Sequence, residues 1–131
     1  MFRLVIFLIV CGLCTENAIG GSVFIYNNLD YPNLLKVYCR SGENSLGNHV
    51  RKVGGLYNFR FRDNIFGHTM FTCTFWKGHL RYTHNVTIIV YEGKKLPKFD
   101  NWVRWVAKEQ GIFRSVNGEE PFKFVYKWNA H

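Results

Sequence analysis

The chain has 131 residues, room for one domain and no second core. It is basic, with 17 Lys+Arg against 9 Asp+Glu and a net charge of +8, and 18% of its residues are aromatic. Beyond the first 20 residues no stretch is long or apolar enough to cross a bilayer, and the apolar run within them is shorter than the about 20 residues of a span, so a retained membrane anchor is the weaker reading.

The N-terminus reads as a secretory signal. Met1-Phe2-Arg3 supplies the positive start, Leu4 to Cys14 an almost wholly apolar run, and Thr15-Glu16-Asn17 the polar end. Ala18 and Gly20 place small residues at −3 and −1 of a cut between Gly20 and Gly21, giving a signal peptide over 1–20 and a mature domain over 21–131. The signal holds one arginine and one glutamate, so its removal leaves the charge at +8. Such an excess favours acidic surfaces: a cell-wall polyanion, anionic lipid or an acidic receptor. Nucleic acid would fit the charge but is rarely met by a secreted chain.

Period-two alternation then recurs along the mature chain, broken by turn residues every 8–12 positions. Segments 22–27, 34–40 and 47–52 read as strands, followed by Tyr57-Asn58-Phe59-Arg60-Phe61-Arg62 with three aromatics on one face. Phe71, Cys73 and Phe75 alternate with Thr72 and Thr74, and 84–91 continues the pattern. Trp102 to Glu109 is ambiguous, because Trp102, Trp105 and Val106 would also line a helix; the alternation of Val103, Trp105 and Ala107 with Arg104 and Lys108 decides for a strand. A strand over 111–115 and a last one with Phe122, Phe124, Tyr126 and Trp128 on one face complete the series. Asn27-Asn28-Leu29-Asp30, Ser41-Gly42-Glu43-Asn44, Gly54-Gly55, Lys77-Gly78 and Asn117-Gly118 supply the turns. The expected fold is all-β, an antiparallel sandwich or barrel of about eight short strands, without repeats or linkers.

Loss of the signal removes Cys11 and Cys14, whose CxxC spacing is therefore neither a redox motif nor a metal site. Cys39 and Cys73 remain, an even number delivered to an oxidising compartment and both on apolar strand faces. They read as a buried disulfide between neighbouring or facing strands, worth ~3–4 kcal/mol by loop closure, the alternative being two buried thiols.

Chemistry-bearing constellations are sparse. His49, His68, His79, His84 and His131 are scattered, with no metal-ligand spacing, and a ribonuclease would need two of them and a lysine at one phosphate. Glu119 and Glu120 are adjacent and do not make a glycosidase pair. The sequence carries no GxSxG, P-loop or HExxH motif. We therefore expect no catalytic residues, cofactor or metal. Aromatics interleaved with basic residues fit base stacking, yet in a small β domain they chiefly fill the core. Asn85-Val86-Thr87 is an N-glycosylation sequon at a strand start.

Taken together, Val23-Phe24-Ile25-Tyr26-Asn27-Asn28-Leu29, Leu35-Lys36-Val37-Tyr38-Cys39-Arg40-Ser41, Leu46-Gly47-Asn48-His49, Gly55-Leu56-Tyr57-Asn58-Phe59-Arg60-Phe61, Phe66-Gly67-His68-Thr69-Met70-Phe71-Thr72-Cys73 and Trp105-Val106-Ala107-Lys108-Glu109-Gln110-Gly111-Ile112-Phe113 resemble, in order and spacing, the plant self-incompatibility S-protein homologues. The resemblance spans essentially the whole mature chain. It implies a small secreted β-sandwich without catalytic machinery, whose founding role is that of a stigma-secreted ligand of a pollen receptor. One departure stands out: the family's additional C-x-x-C before the late tryptophan is missing around Asp100 and Val103. Loss of both members of a mutually bonded pair would leave Cys39 to Cys73.

The reading is a monomeric, non-enzymatic secreted ligand recognised by a cell-surface protein receptor, without nucleic acid or stable membrane insertion. Its alternatives are a small cationic effector or toxin acting on membranes or wall polyanions, and a secreted hydrolase or ribonuclease. The segment Glu92 to Asn101 is the longest polar connection of the mature chain, and Pro97 and Gly93 discourage sheet pairing there. Lys94, Lys95 and Lys98 on it are the expected recognition residues, with the loop Ser41–Ser45 as the alternative.

Overall fold

The computed structural model describes residues 20–42, 44–62, 69–97 and 99–130. Most of the expected signal segment, Lys98, His68 and His131 lie outside the described residues.

Among the described residues ten strands run in chain order: β1 Gly20–Asn27, β2 Leu34–Ser41, β3 Asn44–Arg51, β4 Leu56–Arg62, β5 Met70–Gly78, β6 Tyr82–Glu92, β7 Asn101–Lys108, β8 Gly111–Val116, β9 Lys123–Tyr126 and β10 Asn129–Ala130. They form two five-stranded sheets, β4-β1-β7-β8-β9 and β10-β6-β5-β2-β3. Every pairing is antiparallel except β1 with β7, which run parallel from Gly21↔Asn101 to Asn27↔Ala107. A parallel neighbour needs a crossover. Here the chain provides it by passing through the opposite sheet twice between β1 and β7.

Alternation is realised as inner and outer faces. Val23 and Ile25 of β1 and Val103, Trp105 and Ala107 of β7 are almost wholly buried and meet Leu35, Val37, Phe75 and Ile88 of the other sheet. The ambiguous segment is thus a central strand of its sheet. Its Trp105 spans the gap and donates from Nε1 to the carbonyl of Val90 at 3.0 Å, which satisfies the ring's polar atom inside the core. Tyr57, Phe59 and Phe61 face inward and pack with Phe71 and Tyr91, at centroid distances of 4.6–6.0 Å.

One expectation needs correction. Phe122, Phe124, Tyr126 and Trp128 do not share a face. A bulge between Ile112 and Phe113 shifts the β8–β9 register, so Phe124 pairs outward with Phe113 while Tyr126 turns inward opposite Ile112. One inserted residue reverses parity, as a period of two requires. The aromatics chiefly fill the core, and some lie outside it. Leu56, Tyr26, Val106, Phe113 and Phe124 form one row of register partners across the outer face of the first sheet.

The hairpin after β8 shows why Asn-Gly occurs there. Asn117 has φ 51° and Gly118 φ 85°, the two positive values of a type I′ turn, and the amide of Glu119 returns to the Val116 carbonyl at 3.1 Å.

Candidate functional site

The two ends of the sandwich differ. At one end the connections are tied to the body by side chains. Buried Asn27 donates to the carbonyl of Arg51 at 2.9 Å and accepts from the amide of Leu29 at 2.8 Å. Glu109, in the β7–β8 turn, accepts from the amide of Asp30 and the amide side chain of Asn33, both at 2.9 Å. Its other oxygen takes a 2.7 Å ion pair from Lys77, whose ammonium also lies over the Trp128 ring at 5.2 Å. Burial alone would raise the Glu109 pKa. The hydrogen bonds from Lys77, Asp30 and Asn33, with the charge of Lys77, outweigh it and hold the carboxyl below its ordinary value. Trp128 donates to the Lys108 carbonyl at 2.7 Å, pinning the C-terminal segment.

The β2–β3, β6–β7 and β8–β9 connections lie at the opposite end, because β2, β6 and β8 finish there and β3, β7 and β9 start there or nearby. The β6–β7 connection carries the expected lysines. Gly93–Lys95 form one turn of 3₁₀ helix, with the Gly93 amide bonded to the Thr69 carbonyl at 2.8 Å. Lys94 and Lys95 are exposed, and Lys95 stands 3.8 Å from Glu92. Below them is an amide network that sequence reasoning missed. Asn101, 1% exposed, donates to the Pro97 carbonyl at 3.0 Å and accepts from Asn117 at 2.9 Å, while Asn117 accepts from the amide of Trp102 at 2.8 Å. A rigid base thus carries exposed cations. The signal was present in the sequence only as a turn asparagine; its partner Asn101 is 16 positions away.

Cys39 and Cys73 are directly opposite on β2 and β5, both fully buried, with Cα atoms 4.0 Å apart, and are joined as a disulfide. Of the two arrangements expected, neighbouring strands is the one found. The bond is fully buried, as its place on the inner face of the sheet requires. Asn85 lies on β6 between its register partners Trp76 and Asn129, half-buried.

The histidines are dispersed. His49 stacks on Tyr57 at 4.2 Å and bonds the Leu46 carbonyl at 2.7 Å, while His84 contacts the Thr83 hydroxyl at 2.9 Å. Burial raises the Tyr57 pKa against the opposing pull of Arg51. Of the paired glutamates, Glu120 meets Arg104 at 3.2 Å on the outer face and Glu119 borders a cleft on the other side. Among the described residues no cluster of His, Cys, Asp and Glu could hold a metal, and no helix is long and apolar enough to cross a membrane.

That cleft lies between the sheets at their β6/β9 edge and encloses about 680 Å³. It exists because β9 and β10 are short, four and two residues, so β10 reaches only His84 and Asn85 of β6. Val103, Val116 and Tyr126 line it from one sheet and Val90 and Tyr91 from the other. Arg114, Lys123 and Lys95 stand at its rim.

Comparison with known proteins places this architecture. Residues 22–128 match the family described as plant self-incompatibility protein S1. S-protein homolog 9 of Arabidopsis thaliana is 35% identical, covering 98% of this chain and 99% of the homologue. S-protein homolog 21 of the same plant is 34% identical over 86% of this chain and 89% of its own. A solved structure of an SPH (self-incompatibility protein homologue) protein, described as belonging to a widespread family of small, highly stable, secreted proteins from plants, superposes with a TM-score of 0.71. It covers 88% of this chain and 99% of that one at 19% identity, a likeness of fold. With residues 22–128 matched by the family and relatives of 35% and 34% identity covered over most of their length, the chain belongs to the plant self-incompatibility protein S1 family.

Proposed function

We propose that the chain is a secreted, monomeric, non-enzymatic protein ligand that acts between cells through a surface receptor. The observation that carries this reading is the asymmetry of the sandwich: one end is locked by Glu109, Asn27 and Trp128, and the other presents exposed Lys94 and Lys95 on a base held by Asn101 and Asn117. A rigid scaffold that displays loops at one end suits recognition. Secretion is supported by the signal pattern of residues 1–20, by a disulfide that needs an oxidising compartment, and by the description of the SPH relative as secreted. Asn85 is a glycosylation site in this reading, its sequon on a strand face that includes Thr87.

Lys94, Lys95 and Lys98 steer an acidic receptor site. The test is a titration of the triple Lys→Gln variant against wild type on target cells at fixed salt. Affinity should fall about tenfold or more, the ~1.4 kcal/mol that a few lost charge contacts supply. Equal affinity of a folded variant overturns the assignment to this loop and moves it to Ser41–Ser45.

A second reading, a cationic effector acting on membranes or wall polyanions, draws on the outer apolar row. Leu56 and Phe124 are exposed in it, and Lys108 lies 4.8 Å over Phe113. Binding to anionic vesicles that disappears above ~0.15 M salt would favour it.

A further inference from the structure

The cleft at the β6/β9 edge contains a charge arrangement that folding does not explain. On β8, Ile112 is fully buried and Val116 packs on the core, so Arg114 between them falls on the inward parity. Its guanidinium lies 5.7 Å over the ring of Trp105, its partner on β7. On β9, Lys123 is the register partner of Arg114 and opens to the same cleft. Like charges directly opposite on adjacent strands are destabilising. Among the described residues neither cation has a carboxylate within ion-pair distance, whereas Arg60, Lys77, Lys95 and Arg104 each do. An inward charge on an edge strand can serve to block strand addition. That accounts for Lys123 on β9 and not for Arg114, which sits on an interior strand.

The remaining walls are mixed, an apolar floor with Glu92, Asn117 and Glu119 also lining the cleft. Val90, Tyr91 and Val103, each at most 2% exposed, form the floor with Val116 and Tyr126. Leu96 and Pro97 close the far side, where Lys95 adds a third cation already engaged with Glu92. A space of about 680 Å³ falls within the range of small-molecule sites, which combine an apolar lining with a few placed polar groups. Three cations, Lys95, Arg114 and Lys123, outnumber the carboxylates Glu92 and Glu119 in the lining, and beside an apolar floor they suit a ligand with one anionic end and an apolar body.

We propose that the cleft between the sheets binds a small amphipathic carboxylate, its head between Arg114 and Lys123 and its chain against Val103, Val116 and Tyr126. The proposal does not rest on the receptor reading, and the head-group cations Arg114 and Lys123 lie on β8 and β9, outside the lysine loop whose Lys95 also borders the cleft.

The experiment uses the secreted protein with its disulfide intact and dodecanoate as the probe, below its micelle concentration, followed by calorimetry and by tryptophan fluorescence from Trp105. One saturable site is expected, competed by an anilinonaphthalene sulfonate and not by dodecyltrimethylammonium, which has the same tail and the opposite head. Arg114→Gln with Lys123→Gln should weaken dodecanoate at least tenfold while the melting temperature stays level or rises, since a repulsion is removed. Lys52→Gln with Arg81→Gln, which takes the same charge from exposed positions away from the cleft, should leave affinity within twofold. The proposal is overturned by the absence of saturable binding, by equal competition from the cationic amphiphile, or by equal loss in the two double variants. Receptor binding retained by the cleft variant leaves the ligand reading standing whatever dodecanoate does.

Discussion

Replacing Glu109 by alanine tests the lock at the pinned end. The substitution withdraws the acceptor from three donors at once: the ammonium of Lys77 at 2.7 Å, the amide of Asp30 at 2.9 Å and the side chain of Asn33 at 2.9 Å. The Lys77 side chain is only 9% exposed, so its charge would be left largely buried without its carboxylate. Breaking a fully buried pair in this way costs roughly 3–5 kcal/mol. The Glu109 side chain is 29% exposed, and the Asp30 amide can turn to water. We therefore expect ~2–4 kcal/mol, or about 8–16 °C of melting temperature at ~4 °C per kcal/mol. Chemical denaturation of the disulfide-intact protein at neutral pH measures it. Adding Lys77→Met should recover a large part of the loss, because the stranded charge is removed with its partner. The carboxyl is held below its ordinary value of 4.5, so its contribution is fully present above that pH and lost as pH falls through the lower, folded value. Wild-type stability should accordingly drop in acid below about pH 4.5, and the Glu109→Ala protein should show a shallower drop. A loss under ~1 kcal/mol, or a double variant no better than the sum of its singles, refutes the account of Glu109 as the hub of that end.

Replacing Cys39 and Cys73 together by alanine should cost ~3–4 kcal/mol, and alkylation of the native protein should find no thiol at either position; two reactive thiols would count against the bond. Gly118→Ala should destabilise by ~1 kcal/mol, because φ 85° disfavours a side chain and the added carbon would meet the Trp102 ring at 3.2 Å. Unchanged denaturation would show that the turn relaxes. The first residue of secreted protein should be Gly21, and N-terminal sequencing that starts well outside Ile19–Ser22 rejects the cleavage site.

Strand parity was legible without coordinates because it is a local property of the extended backbone. Tyr57, Phe59 and Phe61, and likewise Phe71, Cys73 and Phe75, announce one face by position alone, and the Asn117-Gly118 turn announces its positive φ values. The disulfide was legible for a compositional reason, since removal of the expected signal would leave two cysteines. What depends on which strands become neighbours was not legible. The bulge that turns Phe124 outward and Tyr126 inward arises only from pairing β9 with β8. The parallel placement of β1 beside β7 joins segments some 80 residues apart. No local pattern marks Glu109; folding brings Lys77, 32 positions earlier, within 2.7 Å of it. Arg114 could be assigned to an inward parity by counting from Ile112, but its meaning came from the sheets. Only because β9 and β10 stop short does that inward charge open onto a cleft rather than into a closed core. Side-chain direction follows from each residue's own backbone. Partnership, burial of charge and empty space follow from long-range packing, which no local pattern encodes.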